Sequence, residues 1–125
     1  MGLAADSRAP VVLVVEDEPL LLMMAIATVE DAGLFPLAAH NSAEALRILE
    51  SRDDIRLVFS DIDMPGEMDG VQLMTAVRNR WPPVGLILTS GHRLPDPSVI
   101  PEGCLFFGKP YNTDALIVEM QRLAH

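Results

Sequence analysis

The chain has 125 residues, half of them hydrophobic and 22% charged, which suits one globular domain with a sizeable core. Nine basic residues against eighteen acidic ones give a net charge of −9, and no stretch concentrates the basic ones, so a general nucleic-acid or anionic-membrane surface is excluded. Cys104 is the single cysteine; it permits no internal disulfide, favours a reducing, cytoplasmic compartment, and at the start of an apolar run reads as a buried structural thiol.

Residues 1–10 lack a basic start followed by an apolar segment, so they read as a flexible lead-in ending at Pro10 rather than a targeting signal. The domain proper is expected over 11–125. Val11 to Val15 is a continuous β-branched and leucine run, as a strand buried on both faces requires. Pro19 suits the first turn of a helix running to about Ala32 and ending at Gly33. The longest strongly apolar run, Leu20 to Ala27, is too short to span a bilayer. That helix is nonetheless apolar around more than one face, through Leu20, Leu21, Leu22, Met23, Met24, Ile26, Ala27 and Val29. A helix packed on a sheet needs only a stripe, so the excess predicts either an exposed docking patch or a generously apolar core helix.

Phe35 to Ala39 is a weaker second strand. Asn41 and Glu44 resemble a capping box opening a helix with Ala45, Leu46 and Leu49 inward, closed by Arg52-Asp-Asp54. His40 and His125 have no nameable partner. Leu57 to Ser60 predicts the third strand, and Val71 to Arg80 a helix burying Leu73, Met74 and Val77. Pro82-Pro83 ends that helix beside Trp81, a packing residue. Val84 to Thr89 is the fourth strand, Leu105 to Phe107 the fifth, and Asn112 to Leu123 the last helix. Pro95, Pro97 and Pro101 interrupt the place of a fourth helix, so a loop or a single turn is expected there. Strict alternation of strand and helix implies an α/β fold, a doubly wound parallel sheet with helices on both faces.

In such sheets ligands sit beyond the carboxyl ends of the strands, where the strand order reverses. Four of these ends carry chemistry. Glu16-Asp17-Glu18 follows the first strand, Asp61-Ile-Asp63 the third, Thr89-Ser90 the fourth and Lys109-Pro110 the fifth. If strands one and three adjoin at the reversal, Glu16, Asp17 and Asp61 share a crevice, and carboxylates that close repel one another. A hard divalent cation relieves that repulsion; Mg²⁺ (or Mn²⁺) takes one or two carboxylates, waters and a phosphate oxygen. Lys109 would be a point charge for an anionic oxygen and Ser90 a short hydroxyl donor, with Thr89 its alternative if the register shifts by one. Together these are the parts of phosphoryl transfer: an in-line nucleophile, a metal and fixed donors.

Glu16-Asp17, Asp61, Met64-Pro65-Gly66 with Asp69-Gly70, Ser90 and Lys109-Pro110, in this order and at these spacings, resemble the receiver domain of two-component response regulators. The resemblance covers the chain from Val11 onward. It implies a five-stranded flavodoxin-like sheet of order 2-1-3-4-5, in which the three prolines leave the fourth helix short or degenerate. It implies that Asp61 accepts a phosphoryl group from a histidine kinase or a histidine phosphotransfer protein, and that Glu16, Asp17, Asp61 and the backbone carbonyl of Asp63 hold Mg²⁺. Lys109 would contact a phosphoryl oxygen, with a cis bond to Pro110. Ser90 would swing towards the phosphoryl group and Phe106 would rotate inward behind it, while Asp63 and His92 tune dephosphorylation.

By the same resemblance the chain is not an enzyme acting on a separate substrate; it catalyses only its own phosphorylation and dephosphorylation. It would act alone or as part of a longer regulator, as a monomer or weak homodimer, with Leu20 to Val29 docking the partner and no direct contact to nucleic acid or membrane. Asp61-Ile-Asp63 is also similar to the acid pair of haloacid-dehalogenase-like phosphotransferases. That pair follows a first strand, however, with Thr or Val where Pro65 stands here. A calcium loop starting at Asp61 fails at Pro65 and Gln72. A flavin carrier would want a hydroxyl-rich cradle in place of Glu16-Asp17-Glu18.

Overall fold

The computed structural model describes residues 9–66, 68–91 and 95–125. Most of the lead-in expected over 1–10 therefore lies outside the described residues, as does His92. The first strand, β1 (Val11–Val15), is buried along its whole length, no residue being more than 7% exposed. It lies between β2 (Phe35–Ala39) and β3 (Ile55–Asp61), both parallel to it. The strands β4 (Gly85–Ser90) and β5 (Leu105–Gly108) extend the sheet to the order β2-β1-β3-β4-β5, all pairs parallel. This is the flavodoxin-like order, with the reversal between β1 and β3.

Alternation along each strand divides the core in two. Val11, Leu13, Val15 and Val58 face α2 (Ser42–Ser51) and α3 (Gly70–Arg80), packing with Ala45, Leu49, Leu73, Met74 and Val77. Val12, Val14, Leu57 and Phe59 face α1 (Pro19–Asp31) and α4 (Thr113–Ala124), packing with Leu22, Val29, Leu116 and Met120. With a core on each face, central strands carry no polar alternation. Among the described residues, no helix is long and apolar enough to cross a membrane.

The helix ends follow local chemistry. α1 starts at Pro19 and stops before Gly33, whose φ of 78° is a left-handed conformation that glycine adopts without a Cβ penalty. At α2, Asn41 accepts from the Glu44 amide at 2.8 Å, but the reciprocal half of the expected box is displaced by one residue. Glu44 Oε1 accepts instead from the His40 amide at 2.6 Å and faces His40 Nδ1 at 2.9 Å, so His40 has a partner that the sequence reading missed. Leu46 is only partly buried, and Ser42 takes a place in the buried stripe, its hydroxyl donating to the Met68 carbonyl. The complete capping box belongs to α3, where Asp69 and Gln72 exchange two bonds of 2.9 Å.

Several boundaries differ from expectation, most of them by one residue. β3 runs from Ile55 through Asp61, because Ile55 pairs with Val11 across an irregularity and Asp61 pairs with Thr89. β4 begins at Gly85 rather than Val84, where a side chain would meet Leu123 and Leu57. In the proline-rich stretch one 3-10 turn, Pro97–Val99, stands under an Asp96 cap. Trp81 caps α3 and packs on the core, with the Arg80 guanidinium 4.4 Å over its ring.

Cys104 is partly buried, its Sγ donating to the Leu105 carbonyl. Burial pushes the thiol up to about 12. The thiolate is the nucleophile, so the native chain is expected to resist iodoacetamide at pH 8 and to be alkylated rapidly once unfolded. Equal rates in both states, read by intact mass, would contradict this placement.

Candidate functional site

The β3 register carries Asp61 to the carboxyl end of a central strand. The amide of the next residue, Ile62, donates to the Thr89 carbonyl at 2.8 Å, and the Lys109 amide donates to the Ser90 carbonyl at 2.8 Å. These two bonds bring the ends of β3, β4 and β5 to one rim. There the Asp61 side chain is 11% exposed, and its Oδ2 lies 3.7 Å from the Lys109 ammonium. Lys109 is the only lysine in the chain. Its peptide bond to Pro110 is cis, as expected.

Glu16 arrives from β1, across the reversal. Its amide donates to the Ala39 carbonyl, its side chain is buried, and its Oε2 accepts from the Glu18 amide at 3.1 Å. Burial is the main cause that raises the Glu16 carboxyl above the usual range; Asp61 and Asp17 push it further, while the Glu18 amide and Lys109 oppose. Asp61 is raised as well, first by burial and then by Asp63, against Lys109 and the amides of Asp63 and Ile62. Asp61 therefore acts on Glu16, and Lys109 acts on both. Asp17 stands beside them in the solvent.

In the loop after β3, the Asp63 amide reaches Asp61 Oδ1 at 3.4 Å. The Ser90 hydroxyl donates to Asp63 Oδ2 at 3.3 Å, so Ser90 is the hydroxyl turned towards this loop. Thr89 is buried and lines a groove of about 500 Å³ together with Glu16, Asp61, Lys109 and the α1 residues Leu21 and Met24. Phe106 is partly buried on the α3 side of the sheet. Phe107 faces the other side, edge-on to Tyr111 with centroids 6.2 Å apart. Tyr111 is a site residue that the sequence reading missed. Its hydroxyl is raised first by burial and then by the charges of Glu16 and Asp61. Its place two residues after Lys109 was the available signal.

The carboxylates at this rim do not make a closed cage. Among the described residues, no three His, Cys, Asp or Glu side chains are arranged to hold a metal ion. The donor set still fits Mg²⁺, which takes one or two carboxylates and keeps several waters. Glu16, Asp17, Asp61 and Asp63 bring four carboxylates to a rim where, among the described residues, Lys109 is the cation acting on Glu16 and Asp61.

The apolar excess of α1 lies at the surface. Leu22 and Val29 are buried, whereas Leu20, Met23 and Met24 are 63%, 67% and 58% exposed. The generously apolar core helix is therefore set aside.

The sequence model of the response regulator receiver domain family matches residues 12–103. A putative NtrX-like response regulator of Rickettsia felis is 34% identical over 115 residues, covering 89% of this chain and 24% of that protein. The nitrogen assimilation regulatory protein NtrX of Azorhizobium caulinodans is 31% identical, covering 89% and 25%. The chain thus spans about a quarter of the length of these relatives. Among solved structures, a response regulator receiver protein of Sinorhizobium medicae superposes with a TM-score of 0.87 at 28% identity, covering 94% of this chain and 96% of that one. NtrX of Brucella abortus superposes with a TM-score of 0.81 at 30% identity, covering 93% and 27%.

Proposed function

Since this chain belongs to the response regulator receiver domain family of two-component signalling, we propose that Asp61 is its phosphoacceptor, charged by a histidine kinase or a histidine phosphotransfer protein. One observation carries the reading. A largely enclosed carboxylate stands 3.7 Å from the chain's only ammonium side chain, next to a second buried acid, at the strand-order reversal. A solvated acid at an ordinary strand end has no such company.

In the proposed reaction an Asp61 carboxylate oxygen attacks the phosphorus of a phosphohistidine in line. The O–P bond forms as the P–N bond breaks, and the imidazole leaves. Lys109 neutralises charge on a phosphoryl oxygen, holding a position that needs no reorganisation during the transfer. The Ser90 hydroxyl, which donates to Asp63 in this structure, turns its proton to the new phosphoryl group, and Phe106 moves inward behind it. Glu16, Asp17, Asp61 and the Asp63 carbonyl would hold Mg²⁺, which supplies charge neutralisation for the equatorial oxygens. The added charge is satisfied by one arrangement of donors and not by the other, which makes the domain a two-state switch. Hydrolysis of the acyl phosphate by water resets it, at a rate that Asp63 and His92 adjust.

Acetyl phosphate with Mg²⁺ tests this without the kinase. Intact mass should rise by one phosphoryl group, and peptide mapping should put it on Asp61. No gain, or a gain at another residue, refutes the reading.

The exposed α1 face is the proposed docking surface for the phosphodonor's helices. Met23→Asp should slow transfer from the donor protein about tenfold, the loss of one sizeable interface contact. It should leave the acetyl phosphate rate unchanged. Unaltered transfer from the donor protein would move docking elsewhere.

A further inference from the structure

Gly70 is the first residue of α3, and its φ is not among the positive values that call for glycine at 33, 66 and 103. In helical conformation glycine is disfavoured against alanine by roughly 1 kcal/mol, so conformation gives no reason for it here. Space does. A Cβ on Gly70 would lie 2.7 Å from the Ile62 Cα and 3.0 Å from the Asp61 carbonyl carbon, and nearer still to the Asp61 carbonyl oxygen. All three are backbone atoms, so no side chain can turn aside. The Gly70 amide also donates to the Ile62 carbonyl at 3.0 Å.

We propose that Gly70 is a positioning residue for the phosphoacceptor: lacking a side chain, it lets the first turn of α3 rest on the Asp61–Ile62 peptide, and this contact fixes where the Asp61 carboxylate stands. The inference rests on the reading of Asp61 as phosphoacceptor. Other contacts also hold that peptide in place. The Ile62 amide is bonded to Thr89, its carbonyl to Gly70, and its side chain is 1% exposed. On the helix side, the Asp69–Gln72 box fixes the start of α3 while Leu73, Met74 and Val77 anchor it in the core. Neither side of the contact can retreat freely.

Carbon atoms in contact prefer about 3.5 Å or more, so a methyl group at residue 70 would drive the two backbones roughly 0.8 Å apart. The displacement falls on the residue that carries the nucleophile. A 1 Å error in a reacting group lowers a rate by about 10²-fold.

The test compares Gly70→Ala with Gly85→Ala in the full chain. The second variant also crowds its surroundings, its Cβ lying 3.0 Å from Leu123 and 3.3 Å from Leu57, but at the opposite end of β4 from Ser90. Both variants are expected to melt lower than the wild type. The maximal rate of phosphorylation by acetyl phosphate with Mg²⁺, per folded molecule, should fall about 10²-fold in Gly70→Ala, with the half-saturating donor concentration within about twofold of the wild type. Gly85→Ala should keep both values.

Folded fraction is measured by circular dichroism, with trimethylamine N-oxide added to all samples if alanine at residue 70 unfolds the chain at 25 °C. A Gly70→Ala rate that follows the folded fraction alone overturns the inference. So does a variant that stays unfolded with the osmolyte while Gly85→Ala folds, because the contact would then serve folding only. Wild-type protein that takes no phosphoryl group on Asp61 refutes the function itself, a result distinct from either.

Discussion

Asp61→Asn is expected to gain no mass from acetyl phosphate and Mg²⁺, and to melt above the wild type when divalent ions are removed. The first effect follows from deleting the proposed nucleophile. The second follows from where that carboxyl is held. Burial, with Asp63 adding, raises the Asp61 carboxyl above its usual range. A carboxyl raised in the folded state binds its proton more tightly there than in the unfolded chain. At any pH above the raised folded value it is ionised in both, so its charge works against folding. Stability from this group returns as pH falls through the raised folded value and is complete below the unfolded one. Asparagine has nearly the same shape without the charge, so it removes that penalty. Intact mass and calorimetry in EDTA read the two effects. A variant still phosphorylated, or one melting lower than wild type in EDTA, would contradict the site as described.

Lys109→Ala is the second large effect. The ammonium 3.7 Å from Asp61 Oδ2 lowers both the Asp61 and Glu16 carboxyls. Without it a phosphodonor oxygen loses its fixed cation, and the acyl phosphate rate should fall about 10²-fold or more, the usual result of deleting one preorganised donor. Lys109→Arg should recover little, since a planar guanidinium does not reproduce a compact point charge on a flexible stem. Stability should drop along with the rate, because buried Glu16 and partly buried Asp61 lose a cation that offsets them. A Lys109→Ala protein phosphorylated at the wild-type rate would remove Lys109 from the chemistry.

Much of this was legible in the sequence for local reasons. Val11 to Val15 and Phe35 to Ala39 matched their strands because continuous apolar runs bounded by turn residues admit few other readings. The prolines at 95, 97 and 101 left a single turn because they remove helical donors. The positions of Asp61, Ser90 and Lys109 at one rim followed from the rule that strand ends converge. What escaped was tertiary. Residue type does not reveal that Glu44 turns to His40 rather than to Asn41, because both donors precede the same helix. Periodicity marked α1 as too apolar but could not say which leucines lay uncovered; that depends on how α1 sits against α4 and the sheet. The approach of Gly70 to the Asp61 peptide joins residues nine apart through a closed loop. Sequence shows the glycine but not what it touches.

The absence of lysine elsewhere in the chain has a practical consequence. Apart from an N-terminal amine, the one primary amine this polypeptide presents is that of Lys109 at the Asp61 rim, and its side chain is 27% exposed. Reductive methylation with carbon-13 formaldehyde would therefore install one spectroscopic beacon at that location, with no background to resolve from other lysines. Its resonance would follow the loading and emptying of the acceptor in real time.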